Sequence, residues 1–318
     1  MQLTHYTIDK PVHGGSEWLA VRWRDENGLA RISASNAAAV HGEHPYLSPA
    51  QLAVELLKEE PPQPQEQNAA MRRGNTLEGP IRDWAAQLLG FPLTTPCIMY
   101  AYEEDGVRLI ATIDAVSEAG GVYEIKTKRG RWSGELPRMW YWQGVQQAVC
   151  ANVDGVTWVI FDSDLDIQFH EQKVTSDEKR AHIEACRQYL AAIDMGMVPD
   201  GIVMTYDDVN DMHPRGNGTA VELTEECARL LTDYRERQSL VELHENTMAV
   251  IKADLCKLLG DSEFGTLGGE VVVTWKTATR KTLDGKRFEA EHPALAAKYK
   301  KQSTYRTFRV VDNQGDEQ

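Results

Sequence analysis

Ile110-Ala111-Thr112-Ile113-Asp114, then nine residues, then Glu124-Ile125-Lys126 is the stretch on which the reading of this chain turns. Residues 107–115 and 122–128 are apolar, β-branched runs on either side of Glu118-Ala119-Gly120-Gly121, so they read as a β-hairpin. Side chains alternate faces along a strand, which sends Glu124 and Lys126 one way and Tyr123 and Ile125 to the core. The turn brings Asp114, at the end of the preceding strand, alongside them. Two carboxylates and an ammonium on one patch suit phosphodiester hydrolysis. The carboxylates hold a hard divalent cation through oxygen. The cation polarises the phosphate and lowers the pKa of bound water, which the lysine orients or deprotonates. A bare E-x-K is a weak signal, since about one arises by chance in a chain of this length. A second copy, Glu171-Gln172-Lys173, serves as a control: ten residues before it stands Phe161 rather than an acid.

Outward from the hairpin, the first sixty residues read as helical. Ser16 is placed to cap a helix through Arg22, Ser33 a second through 34–40, and Ser48-Pro49 opens a third to Glu60. Pro61-Pro62-Gln63-Pro64 forms a linker, and a helix over 71–89 ends at Gly90. After the hairpin come a helix at 137–151, strands at 156–161 and 167–174, and a helix at 177–195. This order predicts an α/β fold, a mixed central sheet flanked by helices. Residues 199–218 are turn-rich and read as a linker between a core (1–198) and a C-terminal region (219–318). That region opens with a helix of almost 40 residues, on which Leu223, Cys227, Leu230, Tyr234, Val241, Met248, Ile251, Leu255 and Leu258 fall in steps of three, four or seven. A small β extension follows, with strands expected at 271–275 and 305–311.

Composition narrows the function classes. Five dispersed cysteines without C-x-x-C spacing argue against a disulfide framework, a zinc site or an iron–sulfur cluster, and read as small buried hydrophobes. No apolar run reaches the ~20 residues of a membrane span, and the N-terminus lacks a signal-peptide core, so a cytoplasmic protein is expected. The net charge of −14 is unfavourable for a DNA-binding protein, but its distribution is uneven. Residues 271–310 carry ten Lys/Arg against Asp284, Glu289 and Glu291, a local balance of +7. A second basic cluster is Lys126, Lys128, Arg129 and Arg131. Trp132, Trp140, Tyr141 and Trp142 crowd the same region, as core, as a subunit contact, or as platforms for frayed bases.

Asp114…Glu124-x-Lys126 resembles the core of the PD-(D/E)-x-K (restriction-endonuclease-like) nucleases, with Ile113 where the eponymous proline would stand. Further motifs resemble the lambda exonuclease-like, YqaJ-type viral recombinase (alkaline exonuclease) family. These are Trp18-x-x-x-Arg22 followed by Ile32-Ser33-Ala34-Ser35, then Gly74-x-x-x-Glu78, then Gln143-Gly-Val-Gln146. The resemblance covers residues 16–196. It implies Asp114, Glu124 and Glu78 as metal ligands for Mg²⁺ or Mn²⁺, and Lys126 at the nucleophilic water. It implies Arg22 and Ser35 on a 5′-terminal phosphate and Thr112 as a phosphate-contacting hydroxyl. The catalytic glutamine is Gln143 or, in a slipped register, Gln146, which otherwise contacts DNA. The implied activity is 5′→3′ digestion of one strand of linear duplex DNA, leaving 3′ single-stranded tails for recombination. A ring-shaped homo-oligomer, a trimer, and a single-strand annealing protein as partner are implied with it. Rival readings are an endonuclease or helicase-associated nuclease with the same core, and a non-catalytic DNA-binding protein.

Overall fold

In the computed structural model the described residues are 4–64, 66–300 and 304–311. The chain divides into two compact units, Met1–His213 and Pro214–Gln318. The first begins with β1 (His5–Asp9), α1 (Ser16–Trp23), β2 (Ile32–Ser33), a 3₁₀ turn (Ala34–Asn36), α2 (Ala37–Val40) and α3 (Pro49–Leu57). Next come α4 (Ala69–Leu89), β3 (Leu93–Thr94), β4 (Ile98–Glu104), β5 (Val107–Ala111), β6 (Ala115–Ser117) and β7 (Val122–Thr127). It finishes with α5 (Arg138–Cys150), β8 (Gly155–Phe161), β9 (Ile167–Lys173), α6 (Ser176–Asp194) and α7 (Tyr206–Met212).

The strands form two sheets, ordered β1-β4-β5-β2 and β3-β6-β7-β8-β9. Both are mixed, since β2 pairs parallel to β5 and β7 parallel to β8, while the other pairs are antiparallel. The fold is thus α/β with mixed sheets flanked by helices. The single run expected over 107–115 is two strands: residues 112–114 leave the ladder and the chain passes from one sheet to the other. Strands β4 and β5 are joined by Asp105-Gly106, whose φ values of 48° and 81° give the left-handed pair that a tight hairpin requires.

Alternation along β7 and β8 builds two cores. On one face Tyr123, Ile125 and Val159 pack with Ile81 and Ala85 of α4. On the other, Val122, Trp158 and Ile160 pack with Val145 and Ala148 of α5. Full burial of side chains such as Trp158 and Ile160 (both 0% exposed) stabilises by about 1.5–3 kcal/mol each. The Ser48/Gln51 capping box starts α3, Asn68 caps α4, and Gly90 at φ 75° ends α4. Ser33 caps nothing through its side chain; it sits in β2 and its hydroxyl goes elsewhere.

The second unit holds α8 (Glu225–Leu259), β10 (Phe264–Leu267), β11 (Glu270–Thr274), α9 (Gly285–Glu291) and α10 (Pro293–Tyr299). Strands β10 and β11 form an antiparallel pair. The strand expected at 305–311 does not form, although Phe308 packs edge-on against Tyr234 of α8 and Arg235 donates to the Val311 carbonyl. Its alternating pattern has no partner strand among the described residues. The apolar seam of α8 is exposed along its length, and Ala296 alone is buried among the unit's described residues. No helix among the described residues is long and apolar enough to cross a membrane.

Candidate active site

The centre of the first unit is the Glu124 carboxylate, 3% exposed on β7. Leaving such a group bare in the interior would cost several kcal/mol, so its oxygens are saturated with donors. Lys126 Nζ donates to Oε1 at 2.7 Å, and Gln143 Nε2 donates to the same oxygen. Gln147 Nε2 donates to Oε2 at 2.6 Å and lies 3.2 Å from the Thr112 carbonyl. Gln143 and Gln147 are four residues apart on α5 and therefore share a helix face. The β6–β7 pairing (Ala115↔Tyr123) sets Asp114 beside this group, and its Oδ2 accepts from the Ile125 N–H at 2.9 Å. Departure of 112–114 from the ladder frees Asp114 to turn toward β7.

The electrostatics follow from three acids gathered around one lysine. Burial, then the charges of Glu124 and Glu78, hold the Asp114 carboxyl well above the ordinary aspartate range, against the pull of Lys126. Glu78, brought in by α4, is raised by burial and by Glu124, with Lys10, Arg82 and Lys126 opposing. Burial works to lower the Lys126 ammonium, but Glu124, Asp114 and Glu78 outweigh it and the net shift is upward. Lys126 thus holds its proton, and an excess of negative charge remains. Among the described residues no three His, Cys, Asp or Glu side chains converge on one metal position. Asp114 and Glu124 instead offer the pair of carboxylates that suits Mg²⁺, which keeps several waters and takes further oxygens from a phosphate. The surplus charge fits a hard cation.

A second cluster lies between α1 and the edge strand β2 of the four-stranded sheet. Arg22 stacks on Trp18, its guanidinium carbon 4.0 Å from the ring centroid, and donates to Ser33 Oγ at 2.9 Å and to Ser35 Oγ. Burial pushes it down to about 10, with Glu55 opposing, so it stays charged at neutral pH. Asp25 is not its partner; that carboxylate accepts from the Asn27 and Leu29 N–H groups. Arg22 therefore has hydroxyl and ring partners but no ion pair among the described residues. Ser33 and Gln147 join these clusters without having been sequence candidates. A serine before an alanine run points to a cap, and only the four-residue spacing from Gln143 points to Gln147.

Gln146 is corrected from a surface role. It is 0% exposed, donates to the Ile32 and Ile110 carbonyls at 2.8 and 3.0 Å, and meets His182 Nε2 at 3.1 Å. It staples β2 to β5 and has no group left for DNA. Helix α5 thereby joins both clusters, Gln143 and Gln147 to Glu124 and Gln146 to the strand that carries Ser33. Thr112 keeps a buried Oγ with no partner. The tryptophans form an internal ladder: Trp132 on Trp140 (5.9 Å), Trp140 on Trp158 (5.7 Å), and Trp142 on His41 (3.5 Å). In the control motif Glu171 and Lys173 are exposed, and Gln172 is buried, accepting from Trp158 Nε1 at 2.9 Å. All five cysteines are free; Cys150 and Cys186 are buried, but Cys97 is exposed.

Residues 17–154 match the family model described as the YqaJ-like viral recombinase domain. Among solved structures, the chain is similar to an alkaline exonuclease (LHK-Exo) from Laribacter hongkongensis, at 22% identity and a TM-score of 0.45, over 56% of this chain and 94% of that one. The same exonuclease in complex with dAMP matches at 21% identity and a TM-score of 0.46, over 56% and 92%. A phage related exonuclease from Haemophilus somnus 129PT matches at 14% identity and a TM-score of 0.38, over 52% and 96%. No curated protein matches.

Proposed function

We propose, from the match of residues 17–154 to the YqaJ-like viral recombinase domain, that this chain is a DNA exonuclease that digests one strand of linear duplex 5′→3′ and leaves a 3′ tail for recombination. The observation that carries the reading is the Glu124 carboxylate held by Lys126, Gln143 and Gln147 with Asp114 beside it. A buried acid supported by three donors is too costly for a structural ornament and too crowded with negative charge to be complete without a cation.

Asp114 and Glu124 would hold that cation, Mg²⁺ or Mn²⁺, with Glu78 reaching it or its waters. When bound, it supplies Lewis acidity toward a phosphate oxygen and offsets the repulsion among the carboxylates. The chain's own groups do the rest. Gln143 and Gln147 fix the Glu124 carboxylate from the α5 side, so that its lone pairs are aimed before substrate arrives. Lys126 keeps its proton on Nζ while Asp114 and Glu124 are uncompensated, and in that state it orients a water or steadies phosphate charge. It is released to act as a base only as that negative charge is neutralised. Arg22, with Ser33 and Ser35 on the same fork, grips the 5′-terminal phosphate by charge-assisted hydrogen bonds, and the unpaired Thr112 hydroxyl takes another phosphate oxygen. In this reading the enzyme works as the ring-shaped homo-oligomer, a trimer, that its family resemblance implies, and passes its 3′ tail to a single-strand annealing protein.

Digestion of linear against covalently closed duplex, with Mg²⁺ or with EDTA, tests the proposal. Loss of linear DNA alone, in Mg²⁺ alone, is expected. Nicking or linearisation of the closed circle at a comparable rate would make the chain an endonuclease.

A further inference from the structure

The basic stretch of the second unit has no part in the site above, yet it has a regular composition. Aromatic residues there stand next to cations in sequence: Trp275-Lys276, Arg287-Phe288, Lys298-Tyr299-Lys300, Tyr305-Arg306 and Phe308-Arg309. Trp275, Tyr299 and Tyr305 are 52%, 73% and 76% exposed, where large rings otherwise seek cover. The cations already lie over rings in two places, Lys276 4.5 Å from the Phe264 centroid and Lys298 5.7 Å from that of Tyr299. The acids of the stretch are engaged at the surface, Glu291 with Arg287 and Glu289 with Lys300, where such pairs contribute little. Arg280, Lys281 and Lys286 are exposed and have no ion pair among the described residues.

We propose that residues 275–300 and 305–309 form a binding surface for single-stranded DNA, the rings stacking on unpaired bases and the lysines and arginines following the phosphates. Charge selects the class of partner: +7 within forty residues, in a chain of −14, concentrates the positive potential that attracts a polyanion. The exposed rings select the single strand, because duplex bases are already stacked on each other and offer no face. As the source of that strand the inference rests on the proposed exonuclease, whose product is a 3′ tail. The binding itself depends only on residues of the second unit and does not require catalysis.

The test uses the full chain in EDTA, so that nothing is digested, and a fluorescent thirty-nucleotide oligothymidylate as probe. Fluorescence anisotropy is read across a range of salt concentrations for wild type and two variants. The first variant, Lys276→Gln/Arg280→Gln/Lys281→Gln/Lys286→Gln, is expected to bind more weakly. Its slope of log affinity against log salt should flatten by about 2–3, at roughly 0.7 for each single-strand phosphate that is no longer neutralised. The second, Trp275→Ala/Tyr299→Ala/Tyr305→Ala, is expected to bind at least about fivefold more weakly with its slope unchanged, since stacking releases no counterions. All of these residues lie outside helices or in a helix's first or last turn, and every one is exposed, so the fold is not at stake. Affinity within twofold of wild type in both variants would overturn the proposal. So would an equal loss by the aromatic variant on a blunt, fully paired duplex. If the chain proved not to be an exonuclease, these binding results would still stand or fall by themselves.

Discussion

Gln147→Met separates support of the site from support of the fold. The substitution conserves volume, so no cavity opens at a fully buried position. It removes the 2.6 Å donor to Glu124 Oε2, a hydrogen bond to a charged group and hence worth about 1.5–3 kcal/mol. It also removes Gln147 Oε1, which is buried without a partner, and relief of that desolvation returns about 1–3 kcal/mol. The two nearly cancel, which leaves the lost 3.2 Å bond to the Thr112 carbonyl, so unfolding free energy should fall by about 0.5–1.5 kcal/mol. Activity has no such compensation: a carboxylate loosened by 1.5–3 kcal/mol should slow cleavage roughly ten- to a hundredfold. Gln146→Met is the contrast. It strips two donors from backbone carbonyls and the His182 contact, so it should cost about 2–4 kcal/mol of stability without a comparable loss of activity at temperatures where it is folded. Urea unfolding and linear-duplex digestion in Mg²⁺, on both variants, check this. Activity of Gln147→Met within twofold of wild type, or a loss no larger than that of Gln146→Met, would refute the role given to Gln147.

Arg22→Ala should slow digestion of 5′-phosphorylated ends roughly ten- to a hundredfold more than that of 5′-hydroxyl ends; equal slowing would leave Arg22 a structural tie to Ser33 and Ser35. His182, fully buried against His41, is held down to about 3 by burial and then by His41's charge, so it stays neutral in the fold while the unfolded chain protonates near 6.5. Stability is therefore complete above pH 6.5 and falls as the pH drops toward 3, by about 2 kcal/mol at pH 5 from this residue; urea midpoints for wild type and His182→Gln should converge at low pH, and parallel curves would exclude the assignment. Gly144→Ala should destabilise despite the helix-propensity gain of about 1 kcal/mol, because the new Cβ would meet Gln172 Oε1 at 2.1 Å and the Trp158 ring at 3.1 Å. A raised thermal midpoint for that variant would show that Gln172 moves aside at no cost.

The hairpin is legible because period-two alternation and a Gly-Gly turn both constrain which side chains share a face, which puts Glu124 and Lys126 on one face and Asp114 on the neighbouring segment. Strand β4 does not stand out by composition, yet Asp105-Gly106 marks its pairing with β5 directly, a two-residue turn of the kind that demands left-handed backbone. The split of 107–115 into β5 and β6 has no local signature. It is a tertiary event, with β5 bound to β2 and β4 while β6 joins β3 and β7, and it is what frees Asp114. Ser33 misleads because a serine before an alanine run is a good cap in isolation, whereas here pairing of β2 with β5 and the reach of Arg22 take precedence. Gln146 and Gln147 differ by one residue, about 100° around a helix. One faces the strands of the first sheet and the other Glu124, a distinction that a glutamine-rich motif does not contain.

The central claim, an exonuclease that uses Asp114 and Glu124 for a divalent cation, is tested most directly by linear duplex labelled at either the 5′ or the 3′ end and incubated in Mg²⁺ with wild type and Asp114→Ala. Wild type should release the 5′ label first as a short product and leave the 3′-labelled strand as a tail. Asp114→Ala should release neither while still retarding the DNA, because affinity is spread over many phosphate contacts. Release of either label by Asp114→Ala within tenfold of the wild-type rate would contradict the account.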